Sequence, residues 1–319
     1  MEKQTAQLTQ EQFRLRALKE AGIAYSVSAL IPVALTVVFS IVLSVIGGNH
    51  ENEDWYLYCS FLLPQIGFAA TAVLYFKRSR VSLKKTYCGC KWYYFVLAAA
   101  VQFGLIFSLN GLNGYFVEFL KLFGYQQQGI SLPSLVGWNL LPAILVIAVL
   151  PALFEETLMR GILSRQMFEN GWGLGVSVVV SGALFSLFHH NPEQTLYQFC
   201  CGMCYTLIAL RSGSVFPTVF AHFANNALTL VLQSVYAPVH GENWSFPDIM
   251  PQGWFIAVLV LSALCLIGAV VFLVFFDKRN AQKGKIRHGS LFFFAAAAGI
   301  AVFAIEWIAY LILGFMPNG

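Results

Sequence analysis

Apolar residues in the 319-residue chain fall in long runs broken by short polar segments. A helix that crosses a bilayer needs about 20 mostly apolar residues. On that measure the pattern predicts spans at 23–47, 55–76, 93–114, 138–158, 173–190, 196–211, 215–235, 254–276 and 291–314. The fifth and sixth are the shortest. The expected fold is all-α, a polytopic transmembrane bundle of eight or nine spans. It divides into an N-terminal segment 1–22, spans in 23–137, a core over 138–235 that carries the unusual polar residues, and closing spans in 236–319.

The polar segments between the runs can be tested by charge, because Lys and Arg collect in short cytoplasmic loops. With nine spans, all but Lys121 of the 19 basic residues fall on one side, from Lys3, Arg14, Arg16 and Lys19 to the cluster Lys278–Arg287. The other side carries Glu51, Glu53, Asp54, Glu118, Glu193, Glu242 and Asp248. This alternation predicts a cytoplasmic N-terminus and an external C-terminus in a multi-pass cell-membrane protein. The first apolar run is too long for a signal h-region and lacks a clear cleavage site, so it reads as a signal anchor. Two flanking segments are amphipathic. Residues 9–20 open with a capping box, Thr9 and Gln12, and carry Phe13, Ala17 and Leu18. Residues 115–124 set Tyr115, Phe116, Phe119, Leu120 and Phe123 around Glu118 and Lys121. Interfacial packing is the simple reading of both; gating of access is the alternative.

Composition sharpens the class. The chain is 58% hydrophobic and 11% charged, with a mean hydropathy of +0.68. Soluble domains hold about 25% charged residues. An ordinary soluble globule, a disordered chain and a nucleic-acid-binding domain are excluded, and the expected surroundings are membrane lipids. The seven cysteines read as packing residues. Cys200-Cys201-x-x-Cys204 looks like a metal motif but lies in an apolar span, and Cys88-x-Cys90 offers a weak palmitoylation alternative.

Function must come from polar side chains inside the bundle, where an ionisable group is penalised by about 2.5–3.5 kcal/mol. Three clusters stand out. Glu155, Glu156 and Arg160 follow the run Leu140–Leu153. Glu156 and Arg160 are one helical turn apart and can pair, while Glu155 projects about 100° away. One carboxylate is then neutralised and the other left for chemistry. The bland alternative is a span that ends at Phe154 with solvated charges at its mouth. Phe185 and His189 share a helical face before the helix-breaking Asn191-Pro192. His222 and Asn226 share a face within Val215–Val235, a run with no other ionisable group. A carboxylate that holds water, a histidine that shares its proton and neutral donors for an oxyanion are what peptide hydrolysis requires.

The series Glu155-Glu156-x-x-x-Arg160, Phe185-x-x-x-His189 and His222-x-x-x-Asn226 resembles the CPBP family of intramembrane proteases, named for CAAX proteases and bacteriocin-processing enzymes and called Abi in bacteria. Gly161 and the stretch Arg211-Ser212-Gly213-Ser214 add to the likeness, which covers roughly 138–235. The resemblance implies that Glu155 activates water with help from His189. It implies that Glu156 and Arg160 form a supporting pair and that His222 and Asn226 stabilise the oxyanion. Phe185 packs the histidine or lines the substrate cavity. The implied activity is endopeptidase cleavage of a hydrophobic or membrane-associated peptide: a prenylated CAAX-type substrate, a bacteriocin or a leader peptide.

Two histidines and a glutamate could instead hold Zn2+ with one position open. The H-E-x-x-H helix of zincins is absent, and the metal-free water attack is favoured. One tension remains. With simple spans, Glu155 lies near the inner end of the fourth and His189 near the outer end of the fifth. A joint site needs the fourth to run on toward Phe168, or the fifth to stop within the membrane. Glu306 belongs to no motif and is expected to pair with a polar group on a neighbouring helix, a proton path being the alternative. A non-catalytic immunity or scaffold protein is a rival reading. So is a transporter, although the paired halves or broken helices of transporters are not seen.

Overall fold

The computed structural model describes residues 9–129, 131–241, 244–281 and 283–316. Lys3 and Glu242 of the charge pattern lie outside them. Each predicted run is helical: α1 Gln10–Ile46, α2 Asp54–Ser79, α3 Tyr93–Lys121, α4 Gly137–Glu169, α5 Leu174–Phe188, α6 Thr195–Ser212, α7 Phe216–His240, α8 Gln252–Phe276 and α9 Gly289–Phe315. No strand occurs among the described residues. The protein is an all-α membrane bundle. Length and apolarity alone qualify six of these helices as spans: α1, α2, α3, α4, α8 and α9. That is fewer than the eight or nine expected. The fifth is a 15-residue apolar helix, α6 is interrupted by Gln198 and Arg211, and α7 by the site's His222, Asn225 and Asn226.

Residues 9–20 do not form a separate surface helix. Thr9 caps α1, with reciprocal bonds of 2.9 and 3.2 Å to Gln12, and the chain runs on without a break. Ala17 and Leu18 are buried, and Arg78 of α2 holds Glu20 at 2.9 Å. The 115–124 segment is different. It forms the last turns of α3 and the turn beyond, with Tyr115, Phe119, Leu122 and Phe123 exposed and Glu118 paired with Lys121 at 2.7 Å.

The helix α4 is central. It packs against α1, α2, α5, α6 and α7. Its length resolves the depth tension. The chain stays helical through Arg160 to Glu169, so Glu155 sits mid-helix, about 21 Å from the α4 end at 1.5 Å per residue. After a tight turn, α5 climbs back and ends at Phe188. His189 therefore lies about 22 Å above the start of α5 by the same rise. Both expected remedies operate together: the fourth helix is long and the fifth is short. At its end His190 turns into the left-handed region, φ +36°, and the Asn191 side chain accepts from the Glu193 N–H at 2.9 Å.

The α5–α6 hairpin closes tightly at Gly182 and Gly202. A Cβ on Gly202 would sit 2.7 Å from the Gly182 Cα. Backbone atoms cannot swing aside, so Gly202→Ala must spread the hairpin, at about 1–3 kcal/mol for overpacking. Gly268 in α8 has nothing within 4 Å of its Cβ position, and alanine favours a helix interior by about 0.5–1 kcal/mol. Thermal unfolding in detergent should therefore show Gly202→Ala melting below wild type and Gly268→Ala at or above it. Equal midpoints would refute the close approach.

Candidate active site

The sequence places Glu155 and Glu156 side by side, and the helix turns them to different neighbours. Both are buried, with 7% and 0% of their surface exposed. The reading in which α4 ends at Phe154 with solvated charges is thus overturned. Glu156 Oε1 accepts from Arg160 Nη1 at 2.8 Å and from His222 Nδ1 at 3.0 Å. The Arg160 guanidinium lies 4.1 Å from the Phe185 ring centroid and 5.2 Å from that of Tyr205. Its Nη2 reaches the Gly202 carbonyl at 3.4 Å, which the glycine crossing of α5 and α6 brings near. This buried cation is held by a carboxylate, a carbonyl and two aromatic faces.

Glu155 faces the other way. Its Oε1 accepts from Gln65 Nε2 of α2 at 3.3 Å. Its Oε2 has no hydrogen-bond partner and stands 3.8 Å from His189 Nε2. The histidine is oriented from behind, because Nδ1–H donates to the Phe185 carbonyl at 2.9 Å. That bond leaves a lone pair on Nε2. Two acceptor atoms thus face each other at a separation too long for a direct hydrogen bond. It is short enough for both to take the protons of one water.

Phe185 is 1% exposed. Its ring lies against His189 at 4.5 Å and beneath Arg160. Of its two expected places, packing against the histidine is the one this contact matches. Asn226 Nδ2 donates to the Ile147 carbonyl at 3.1 Å. In α-helical pairing that carbonyl would meet the N–H of residue 151, which is a proline and has none. His222, one turn earlier, is committed to Glu156 through Nδ1. Its Nε2 carries a lone pair in the neutral ring and an N–H only in the imidazolium.

The structure brings Glu155, Glu156, Arg160, His189 and His222 into one constellation, with Asn226 one turn along α7. It also adds residues that the motifs do not contain. The N-terminal spans carry no motif, yet Gln65 comes from one of them. An amide in an apolar run beside Pro64 was a readable signal. Gln102, Tyr197, Tyr205 and Asn225 form a second polar group around Asn226. Glu306 does meet a polar partner, His190 Nδ1 at 3.4 Å, whose ring stacks on Phe303 and Tyr310. Among the described residues, no three His, Cys, Asp or Glu side chains group closely enough to hold a metal ion. The Cys200–Cys204 cluster falls under the same statement, and the Cys88 thiol donates to the Gly213 carbonyl at 3.0 Å.

Gln65 has a measurable share in this site. Gln65→Leu would leave Glu155 Oε1 buried without a donor, and a hydrogen bond to a charged group is worth about 1.5–3 kcal/mol. A double-mutant cycle of Gln65→Leu with Glu155→Leu, read by unfolding in detergent, should show coupling on that scale. Strict additivity would sever the two side chains.

Residues 137–228, under a third of the chain, match the family model described as type II CAAX prenyl endopeptidase, Rce1-like. No curated protein and no solved structure gives a match to the chain. The matched segment runs from the start of α4 into α7 and contains all three motifs, with Glu155, His189 and His222 gathered around one centre. Through that segment the chain is similar to the Rce1-like type II CAAX prenyl endopeptidases, in keeping with the resemblance to CPBP intramembrane proteases that its motifs carry.

Proposed function

We propose that the protein is a glutamate-driven intramembrane endopeptidase. The observation that carries this reading is the partnerless Glu155 Oε2 facing the lone pair of His189 Nε2 at 3.8 Å. A water between them donates one hydrogen bond to each base and keeps its lone pairs for a carbonyl carbon. As the C–O bond forms, a proton passes to the Glu155–His189 pair. Charge collects on the peptide oxygen, where the free N–H of Asn226 is the donor and His222, one turn earlier and held by Glu156, lies beside it. When the C–N bond breaks, the stored proton goes to the leaving amine. Glu156 and Arg160 touch no reacting atom in this scheme; they fix His222 and the crossing of α4 with α5 and α6.

The site lies mid-bundle among apolar helices, which favours a substrate that reaches it from the membrane. A prenylated CAAX-type peptide is the first candidate, with bacteriocin and leader peptides beside it. The one-sided distribution of Lys and Arg supports a cytoplasmic N-terminus. The donor set supports water activation without a metal.

The experiment is cleavage of a peptide library containing farnesylated and leader-type peptides by the purified full chain in liposomes, wild type against Glu155→Gln. Cleavage by the wild type alone, unaffected by a chelator, is the expected result. Equal cleavage by a normally folded Glu155→Gln variant would remove Glu155 from the chemistry. Loss of wild-type cleavage on chelation, restored by Zn2+, would replace the metal-free scheme.

A further inference from the structure

Behind Asn226 runs a chain of polar side chains from three helices, and none of its other members belongs to the motifs. The Tyr205 hydroxyl of α6 donates to Gln102 Oε1 of α3. Gln102 Nε2 donates to Asn225 Oδ1 at 2.7 Å, which also accepts from the Tyr197 hydroxyl at 2.8 Å. Asn225 Nδ2 donates to Asn226 Oδ1 at 2.9 Å. Asn226 Nδ2 then donates to the Ile147 carbonyl at 3.1 Å.

A primary amide has a donor end and an acceptor end, and turning it over hardly alters its shape. Packing alone therefore cannot choose which end of Asn226 faces the site. The chain can. Phenolic O–H groups fill Gln102 Oε1 and Asn225 Oδ1, so each amide offers its NH2 to the next oxygen. At the far end the Ile147 carbonyl accepts and cannot donate, and Pro151 leaves it without the usual helical partner. The direction of Asn226 is thus imposed from both sides. One of its two N–H bonds is used by Ile147 and the other is left over.

We propose that Gln102 and Asn225 are positioning residues that hold Asn226 with its donor end available to the peptide oxyanion. This rests on the reading of Asn226 as an oxyanion donor. Tyr205 ties the chain to the rest of the site, since its ring also lies 5.2 Å from the Arg160 guanidinium and 6.0 Å from the His222 ring.

The test is Asn225→Asp, which keeps the shape and exchanges a donor for an acceptor. The carboxylate still accepts from Gln102 and Tyr197. It cannot donate to Asn226 Oδ1, so the bond that fixes that end of the Asn226 amide is replaced by two acceptors facing each other. With a quenched farnesylated peptide, kcat should fall about 10²-fold, the scale of one lost oxyanion donor, while KM stays nearly constant. Asn226→Ala should lose a similar factor. Tyr197→Phe leaves Gln102 as a donor to Asn225 and should lose no more than about tenfold, the upper scale of one neutral hydrogen bond. A second readout needs no turnover. In full chain labelled with 15N-asparagine, the Asn226 side-chain NH2 resonance, identified by its loss in Asn226→Ala, should move in Asn225→Asp and in Gln102→Met. A resonance that stays in place, or an Asn225→Asp kcat equal to wild type, overturns the proposal. Wild-type kcat in Asn226→Ala overturns the oxyanion reading instead, and movement of the resonance tells the two failures apart.

Discussion

Glu155→Gln is expected to fold normally and to lose peptide cleavage by about 10²–10⁴-fold, the range that positioned general-base catalysis supplies. The structural side of this expectation is specific. The carbonyl oxygen of the substituted amide can go on accepting from Gln65, as Glu155 Oε1 does at 3.3 Å. Its NH2 then faces His189 Nε2, which carries a lone pair because Nδ1–H is held by the Phe185 carbonyl. The variant would close a direct amide–imidazole contact in the place where two bases now confront each other. Stability is kept and the water site is filled. Single-turnover cleavage of the farnesylated peptide, alongside the unfolding midpoint, checks both halves. A variant that is inactive and also unfolded would contradict this account, as would one that is stable and fully active.

Arg160→Met has the largest expected effect on stability. Glu156 is wholly buried, and Arg160 provides its one full positive charge within the described contacts. Removing one partner of a buried ion pair costs about 3–5 kcal/mol, because the other is left without compensation. The cation–π contacts with Phe185 and Tyr205 are lost as well. Combining Arg160→Met with Glu156→Gln removes the stranded charge, and replacement of a whole buried pair is often nearly neutral. The double variant should thus melt well above the single one in detergent. If Arg160→Met alone is as stable as wild type, the pair is not the lock on α4 that its geometry indicates.

The fold was readable where physics is local. Runs of apolar residues locate every long helix to within a few residues at most ends, because a bilayer leaves the backbone few alternatives to helical pairing. The charged and imidazole members of the site were readable for the same reason: Glu155, Arg160, His189 and His222 are costly in lipid and stand out in apolar runs. Their depth was not. It depends on where α4 stops and α5 begins, and an apolar pattern that ends at Leu158 does not reveal that Arg160 lies inside the helix. The buried guanidinium is satisfied by Phe185, Tyr205 and the Gly202 carbonyl, all distant in sequence. Gln65, Gln102 and Asn225 were missed for another reason. Neutral amides carry a smaller penalty in an apolar helix than charges do. Their meaning appears only when partners on other helices supply a direction.

The bend between Glu169 and Leu174 acts as a common origin for two arms of nearly equal length, one running back along α4 to Glu155 and the other along α5 to His189. One residue inserted in either arm would shift its tip by about 1.5 Å and rotate it by about 100°. The carboxylate and the imidazole would then look past each other, although every side chain was still present. In this region spacing is as much a chemical requirement as residue identity.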